Sequence, residues 1–410
     1  MKVCVVGSGG REHVFATTLA RTAEVVITPG SPGIEGSTSQ EVLEVEADLY
    51  VIGPEAQLVH GMADQLRNNN KVVFGPGADG AKLEGSKKWM KNLVEKAGVP
   101  TAKFQAFNEN EIEEAILFLS TMEAPYVVKT DGLAAGKGVL VTENYESAVA
   151  DLKNKLSGKS FGLAGQRVII EEGLVGREVS LFAICDGKKA TLIPTVAQDH
   201  KRLLDLDNGP NTGGMGCYSP IPWIDSSNLD QMMEIAIHPT MDELINNGID
   251  YRGFLYAGFM MTADGPKLLE YNVRFGDPEA QAILPRIEGD LAETLFQAAR
   301  GDLRQEINIS SDSIVTIVCS ADGYPTNPRK GDLIHGIEAA RSVKGATVHC
   351  AGVDLDSDGG LITSGGRILN VSGRGPDLRT ARQIAYTAAE CISWSGMHMR
   401  WDIASDFKVV

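Results

Sequence analysis

The order of short apolar runs in the first hundred residues is the feature that most constrains the fold of this chain. Such runs occupy residues 3–6, 25–27, 49–52 and 72–74, each is closely followed by glycine or proline, and helical spacing lies between them. Buried strands that alternate with helices indicate a parallel sheet with crossover helices. The sequence therefore predicts an N-terminal parallel α/β domain over residues 1–100, with its last helix at 86–97.

The pattern changes beyond residue 100. Asp-Gly pairs at 186–187 and 264–265 each separate two apolar runs, which is typical of antiparallel hairpins. A further strand is predicted at 314–319 and a further helix at 381–392. The chain is therefore predicted to be an α/β and α+β multidomain protein, with a central domain over residues 101–310 and a small C-terminal α+β domain over residues 311–410.

Composition and charge exclude several classes of protein. Hydrophobic residues make up 43% of the chain and charged residues 22%, as in ordinary soluble domains. The net charge of −16 argues against a nucleic-acid partner, because binding nucleic acid requires many basic contacts to phosphates. No signal peptide or long apolar run is present, so we expect a cytoplasmic protein with no membrane association. Six widely spaced cysteines predict reduced, mostly packed thiols.

The first glycine cluster, GSGGREH at residues 7–13, follows a predicted strand and opens a helix. Backbone N–H groups at a helix N-terminus favour an anion. A dinucleotide site is disfavoured, because Glu12 replaces the third glycine of the dinucleotide motif and no acidic residue follows about 20 positions on. A phosphate- or carboxylate-binding loop and a purely structural turn both stay open.

Two further glycine clusters lie in the central region. The sequence KTDGLAAGKGV at residues 129–139 joins two predicted strands, and it lacks the spacing of a Walker A loop. Its N–H groups and lysines could fold over a triphosphate, although a plain flexible hairpin is the alternative. The third cluster, GPNTGGMG at residues 209–216, is interpreted as a binding loop or an ordinary solvated loop.

The strand KLLEYNVR at residues 267–274 combines an apolar and a polar face. Alternation places Glu270, Asn272 and Arg274 on one face, and Leu269, Tyr271 and Val273 are expected to face the core. A carboxylate and an amide oxygen suit Mg²⁺ shared with substrate phosphates, and the arginine suits an anion. An amphipathic strand with a solvated face is the alternative.

Together these segments resemble the ATP-grasp ligases and, among them, the phosphoribosylamine–glycine ligase family. The resemblance extends over nearly the whole chain and rests on GSGGREH (7–13), GPE (53–55), LEGSK (83–87), the loop at 129–138, AQDHKR (197–202), GPNTGGMG (209–216), NVRFGDPE (272–279), and the C-terminal segments GYP, RKGD and GGRILNV. It implies an N-terminal pre-ATP-grasp domain, a central ATP-grasp domain with a lid at about 122–185, and a small C-terminal domain.

The resemblance also implies an activity. ATP would phosphorylate glycine, and 5-phosphoribosylamine would attack the glycyl phosphate, giving glycinamide ribonucleotide, ADP and phosphate in de novo purine synthesis. The protein would be a monomer or weak homodimer. By position, Arg274 would be catalytic; Glu270 and Asn272 would bind Mg²⁺ or Mn²⁺; Lys91 (or Lys87), Lys129, Gly132, Gly136, Lys137, Gly138, Glu171, Leu174 and Glu178 would bind ATP; and Gly9, Gly10, Arg11, Glu55, Lys201, Asn211, Thr212 and Gly213 would bind the other substrates.

Rival functions stay open, and one residue differs from the pattern of the ligases. Another carboxylate–amine ligase of purine metabolism and a biotin-carboxylase-like enzyme would share the ATP-grasp segments. A dinucleotide-dependent oxidoreductase and a regulator that has lost catalysis are alternatives from other classes. Gly173 stands where the ligases often have an aromatic residue before Leu174, which predicts looser adenine packing.

Overall fold

The N-terminal region forms a four-stranded parallel sheet with the strand order β2-β1-β3-β4. The computed structural model describes residues 1–133, 138–158 and 167–405. The predicted parallel sheet is confirmed, because each crossover returns the chain in the same direction. The elements are β1 (Lys2–Gly7), α1 (Gly10–Leu19), β2 (Glu24–Pro29), β3 (Leu49–Ile52), α2 (Glu55–Val59), α3 (Met62–Asn68), β4 (Val73–Phe74), α4 (Lys82–Gly85) and α5 (Lys87–Lys96).

A second, smaller layer follows in the chain. Its four antiparallel strands have the order β5-β8-β6-β7, and two helices pack on it around a separate apolar cluster that includes Phe107, Val128, Leu152 and Ile170. This layer extends from Phe104 to Glu171, and the lid expected at about 122–185 stays a prediction. Its elements are β5 (Phe104–Asn108), α6 (Ile112–Leu119), β6 (Tyr126–Thr130), β7 (Val139–Thr142), α7 (Tyr145–Leu156) and β8 (Arg167–Glu171).

An eight-stranded antiparallel sheet connects the central and C-terminal regions, in the order β15-β14-β9-β10-β13-β16-β20-β17. Both Asp-Gly hairpins are present, between β9 and β10 and between β14 and β15, and their glycines have φ of +87° and +107°. The sheet strands are β9 (Arg177–Asp186), β10 (Ala190–Asp199), β13 (Gly216–Ser219), β14 (Arg252–Thr262), β15 (Gly265–Asn272), β16 (Ser313–Ser320), β17 (Ala346–Cys350) and β20 (Arg367–Gly375).

The remaining elements surround this sheet. Because β16 pairs directly with β13, the C-terminal region is joined to the central region by backbone hydrogen bonds. Within the described ranges, no helix is both long and apolar enough to cross a membrane. The other elements are β11 (Arg202–Leu204), β12 (Asn208–Asn211), α8 (Ser226–Met232), α9 (His238–Asn246), α10 (Glu279–Ile283), α11 (Leu291–Ala299), α12 (Ile337–Ser342), β18 (Val353–Leu355), β19 (Leu361–Thr363) and α13 (Leu378–Ala389).

All six cysteines are free thiols, and five of them are buried, with Cys391 exposed. Burial raises the pKa of the Cys4 and Cys319 thiols to about 12, so both stay protonated at neutral pH. The prediction of reduced, mostly packed thiols is therefore confirmed.

Candidate active site

A cavity of about 1000 Å³ lies where the N-terminal domain, the small sheet, the large sheet and the C-terminal region meet. Fifteen of the residues proposed from sequence line it, although they come from segments far apart in the chain. They are Arg11, Glu55, Lys129, Gly132, Gly138, Glu171, Leu174, Glu178, Lys201, Asn211, Thr212, Gly213, Glu270, Asn272 and Arg274. Gly9, Gly10 and Lys91 are not among the lining residues, and Gly136 and Lys137 fall outside the described residues.

Two buried lysines face one carboxylate near the small sheet. Lys129 Nζ lies 2.9 Å and Lys91 Nζ 3.1 Å from Glu171 Oε2, and Lys91 Nζ also donates to Thr101 Oγ1 at 2.7 Å. Burial lowers the pKa of Lys91 to about 8, even though Glu171 opposes that shift. Burial also disfavours ionisation of Glu171, but the two ammonium groups outweigh it and lower its pKa. The cluster carries an excess of one positive charge, which suits an anionic ligand.

Lys87 reaches the cavity, whereas Lys91 does not line it. Lys87 Nζ donates to the carbonyl oxygen of Gly132, at the start of the glycine-rich loop, over 3.1 Å. Burial lowers its pKa, although Glu270 partly opposes the effect. The sequence left Lys87 and Lys91 as alternatives for phosphate contact. Because only Lys87 lines the cavity, this geometry favours Lys87 as the residue that contacts a ligand.

The end of β15 presents oxygen donors to the cavity. Glu270 pairs with Gly258 and Asn272 with Tyr256 across the ladder to β14, so the two side chains share a face as predicted. Burial opposes the charge on Glu270, but Lys201, Lys129, Lys87 and Arg274 outweigh it and lower its pKa. An ionised carboxylate next to an amide oxygen is a donor set that fits Mg²⁺ or Mn²⁺ when phosphates complete the coordination. No group of three His, Cys, Asp or Glu side chains in the described ranges forms a metal site without such help.

The predicted alternation of β15 was wrong at one position. Leu269 is only partly buried, while its neighbour Leu268 is fully buried. The ladder to β14 shifts its register between Gly258 and Phe259. Such a bulge turns one side chain to the opposite face, and here it adds an apolar group to the cavity wall. Tyr271 and Val273 are buried, as expected.

Arg274 is held between two carboxylates from the N-terminal region. Its Nη2 donates to Glu84 Oε1 at 2.7 Å, and its Nε lies 3.2 Å from Glu55 Oε2. The second oxygen of Glu84 accepts from the backbone N–H of Val273 at 2.9 Å. Burial opposes the charge on the guanidinium, but Glu84 and Glu55 outweigh it and raise its pKa. The arginine is therefore charged and fixed in direction.

Glu55 connects this arginine to the first glycine cluster. Arg11 Nη2 lies 3.7 Å from Glu55 Oε2, and Arg11 Nη1 donates to the carbonyl oxygen of Phe275. Burial would raise the pKa of Glu55, yet Arg274 and Arg11 outweigh it and lower the pKa to about 2. Glu55 is thus ionised at all ordinary pH values, and two guanidinium groups converge on this end of the cavity.

The first glycine cluster is closed by its own acidic residue. Gly9 N–H donates to Glu12 Oε2 at 2.7 Å, and a Cβ on Gly7 would lie 2.5 Å from Glu12 Cγ. Glu12 therefore fills the space above the helix N-terminus. This agrees with the sequence argument that disfavours a dinucleotide site. A Cβ on Gly10 would lie 2.1 Å from Asn370 Nδ2, so Gly10 is packed against the C-terminal region.

The segment after β8 forms the apolar wall of the cavity. Leu174 lines it together with Pro125, Val127, Met260 and Leu269. A Cβ on Gly173 would lie 1.9 Å from the carbonyl oxygen of Pro125, so no side chain fits at that position without movement. The missing aromatic residue is therefore a consequence of how closely this segment packs on Pro125.

The third glycine cluster lies against the opposite wall. Thr212 donates twice to the carbonyl oxygen of Lys201, from its N–H at 2.7 Å and from its hydroxyl at 2.9 Å. Lys201 Nζ in turn lies 2.5 Å from Glu178 Oε2. Burial disfavours the charge on Lys201, but Glu178 and other acidic groups outweigh it and raise its pKa. This ion pair joins Glu178, which was predicted to contact the ribose of ATP, to Lys201, which was predicted to bind the other substrates.

Several cavity residues were missed by sequence reasoning. Glu84 belongs to the LEGSK segment, and Tyr324 and Arg367 to GYP and GGRILNV, so the motifs were visible but their roles were not. Asp199 belongs to AQDHKR and Glu279 to NVRFGDPE, and their roles were likewise not assigned. Burial and the charge of Glu279 raise the pKa of Asp199 well above its ordinary value, and Asp199 Oδ1 has no hydrogen-bond partner among the described residues.

Comparison with known proteins identifies one family along most of the chain. Residues 1–84 match the Phosphoribosylglycinamide synthetase N domain, residues 85–280 its ATP-grasp (A) domain, and residues 314–406 its C domain. A phosphoribosylamine–glycine ligase of Caulobacter vibrioides is 42% identical, covering 98% of this chain and 97% of that protein. A chloroplastic one of Arabidopsis thaliana is 41% identical, covering 96% of this chain and 78% of that protein.

Solved structures agree. The crystal structure of a phosphoribosylamine–glycine ligase from Thermotoga maritima superimposes with a TM-score of 0.87 at 33% identity, covering 98% of this chain and all of that one. The biotin carboxylase domain of Hydrogenobacter thermophilus 2-oxoglutarate carboxylase has a TM-score of 0.73 at 17% identity, covering 97% of this chain and 91% of that one, so it shares the fold alone. The predicted resemblance and fold are confirmed: the chain belongs to the phosphoribosylglycinamide synthetase family, with its N, ATP-grasp and C domains.

Proposed function

We propose that this chain ligates glycine to 5-phosphoribosylamine at the expense of ATP, through a glycyl phosphate, as one step of de novo purine synthesis. The observation that carries the proposal is the convergence in one cavity of a lysine cluster, the Glu270–Asn272 donor pair and the clamped Arg274. These are the groups that a reaction between anions requires, because each neutralises charge at a different position. The names of the relatives supply the substrates.

The lysine side of the cavity is proposed to hold ATP. Lys129 and Lys87 or Lys91 would contact the phosphates, with the glycine-rich loop at 132–138 over them. The apolar wall beside Leu174 suits the adenine ring, and Glu178 suits the ribose hydroxyls. Glu270 and Asn272 would hold Mg²⁺ or Mn²⁺, which when bound neutralises phosphate charge and orients the γ-phosphoryl group.

The chemistry then needs two displacements. A carboxylate oxygen of glycine attacks the γ-phosphorus and ADP leaves; the amine nitrogen of 5-phosphoribosylamine attacks the resulting carbonyl carbon, and phosphate leaves as the nitrogen loses a proton. Arg274 would stabilise the charge that develops on the transferred group. No side chain acts as a nucleophile. Alignment of the reactants can supply about 7–11 kcal/mol of the barrier.

The N-terminal glycine cluster and the loop at 209–216 are proposed to hold the second and third substrates. Arg11, Glu55, Lys201, Asn211, Thr212 and Gly213 line that end of the cavity. Gly9 and Gly10 would support it from behind, since the Gly9 N–H is bonded to Glu12 and Gly10 lies against Asn370. A chain of net charge −16 can thus bind two phosphorylated ligands, because the attraction is local. A cytoplasmic location and a monomer or weak homodimer state belong to the same proposal.

A coupled assay of ADP formation tests the function. ADP should form efficiently only when ATP, a divalent cation, glycine and 5-phosphoribosylamine are all present. ADP formation with bicarbonate in place of glycine, and none with glycine, would overturn the proposal in favour of a carboxylase. For the metal assignment, Glu270→Ala should abolish cation-dependent turnover, whereas Glu338→Ala, the same change at a surface ion pair with Arg341, should not.

A further inference from the structure

Side chains of the C-terminal region hold the loop at residues 209–216 at Gly213, ahead of Met215 and Gly216, which bond to the backbone of β16. The N–H of Gly213 donates to Tyr324 Oη at 3.0 Å, and its carbonyl oxygen accepts from Arg367 Nη1 at 2.5 Å. Both backbone polar groups of a residue that lines the cavity are thus bonded to side chains of the C-terminal region. The functional assignments above give neither side chain a role.

Tyr324 is fixed by close packing on a neighbouring glycine. A Cβ on Gly366 would lie 2.4 Å from Tyr324 Cδ2 and 2.7 Å from Cε2, so the ring lies directly against the Gly366 backbone. Any larger residue at 366 would push the ring away. The packing of the ring on Gly366 therefore aims the hydroxyl group at Gly213.

Arg367 is fixed by two contacts with Asp277, outside the loop itself. Its Nη1 also donates to the carbonyl oxygen of Asp277 at 2.6 Å, and its Nη2 lies 3.1 Å from Asp277 Oδ2. Burial opposes its charge, but Asp277 and nearby acidic groups outweigh it and raise its pKa. A charged guanidinium therefore ties Gly213 to the segment that follows Arg274. A Cβ on Gly213 would lie 3.0 Å from Arg367 Cζ, so a larger residue would require the guanidinium to shift slightly.

We propose that Tyr324 and Arg367 are positioning residues that hold the 209–216 loop at Gly213 and thereby set the affinity for the two substrates other than ATP. This inference rests on the proposed function. The C-terminal region then contributes to substrate binding through backbone atoms of the loop. Thr212 is tied to Lys201 on one side and Met215 to Val318 on the other. Release of Gly213 would therefore loosen the stretch between these two anchors, which adjoins Asn211.

Steady-state kinetics on two variants test the proposal. Tyr324→Phe removes only the hydroxyl group, and the loss of one hydrogen bond should raise KM for glycine or 5-phosphoribosylamine about 5-fold. Arg367→Lys keeps the charge but loses the two-pronged guanidinium group, and it should raise the same KM about tenfold or more. KM for ATP should stay unchanged in both. The matched control is Tyr145→Phe, which removes a hydroxyl group that contacts the carbonyl oxygen of Ile116 in the small layer and should change none of these values.

Hydrogen–deuterium exchange separates this proposal from the function on which it rests. Peptides that contain residues 209–216 should exchange faster in Tyr324→Phe than in the wild type, whether or not the assay shows turnover. Unchanged exchange together with unchanged KM values would overturn the proposal, and so would an equal rise in KM for ATP, because that would indicate a general structural role. A wild-type protein that shows no turnover with glycine would refute the proposed function. The exchange result would still show whether Tyr324 and Arg367 hold the loop at Gly213.

Discussion

The most informative substitution outside the proposed ligand contacts is Glu84→Gln. Glu84 accepts from Arg274 Nη2 at 2.7 Å with one oxygen and from Val273 N–H at 2.9 Å with the other, and its side chain is only 9% exposed. Glutamine has the same shape but a single acceptor oxygen. One of the two donors must then face an NH₂ group, and the charge that fixes the guanidinium is lost.

The size of the effect follows from these contacts. A hydrogen bond to a charged group contributes about 1.5–3 kcal/mol, and about 1.4 kcal/mol corresponds to a tenfold change in rate. We therefore expect kcat for ADP release to fall about 10- to 100-fold in Glu84→Gln. KM for ATP should change little, because Glu84 lies with Arg274 rather than with the lysine cluster. Glu338→Gln, at an exposed ion pair, provides the matched control.

Two results would contradict this role of Glu84. If Glu84→Gln keeps the wild-type kcat, the orientation of Arg274 does not depend on Glu84 or does not matter for turnover. If the variant loses several degrees of melting temperature while its remaining folded fraction turns over normally, Glu84 has a purely structural role. The assay must therefore be accompanied by a melting curve for each variant.

Three further predictions concern the ATP side of the cavity. Burial lowers the pKa of Lys91 to about 8, so kcat/KM for ATP should fall as the pH rises through about 8 and the ammonium loses its proton. In Lys91→Arg that fall should move to higher pH. An unshifted profile would show that the titration of Lys91 does not control ATP binding. Lys87→Met should raise KM for ATP more than Lys91→Met, because Lys87 alone of the two lines the cavity; the reverse order would show that Lys91 is the phosphate ligand. Gly173→Ala should also raise KM for ATP, since a Cβ would lie 1.9 Å from the carbonyl oxygen of Pro125, and an unchanged KM would show that this wall does not contact the nucleotide.

Local patterns in the sequence predicted local structure well. Strand and helix alternation predicted the parallel sheet, and the Asp-Gly pairs predicted both hairpins, because each depends on neighbouring residues. The same reasoning failed at Leu269, where a bulge in the ladder to β14 reverses one side chain. A bulge depends on two paired strands, and the spacing within one strand carries no sign of it.

Long-range contacts explain the rest of what the sequence did not reveal. Glu84 and Arg274 are 190 positions apart, and their pairing follows from the packing of α4 near the end of β15. Gly9 and Gly10 were expected at an anion, yet the carboxylate of Glu12 and the side chain of Asn370 occupy the space around them. Spacing shows which side chains share a face, whereas the tertiary fold decides what that face meets.

Transfer of ¹⁸O from glycine to phosphate shows whether the reaction passes through a glycyl phosphate. With glycine labelled by ¹⁸O in both carboxylate oxygens, a glycyl phosphate pathway transfers one labelled oxygen to the released phosphate and leaves one in the product amide. We predict inorganic phosphate that contains one ¹⁸O atom for each turnover, measured by mass spectrometry. Phosphate free of ¹⁸O, with ADP formed at the normal rate, would contradict the proposed reaction.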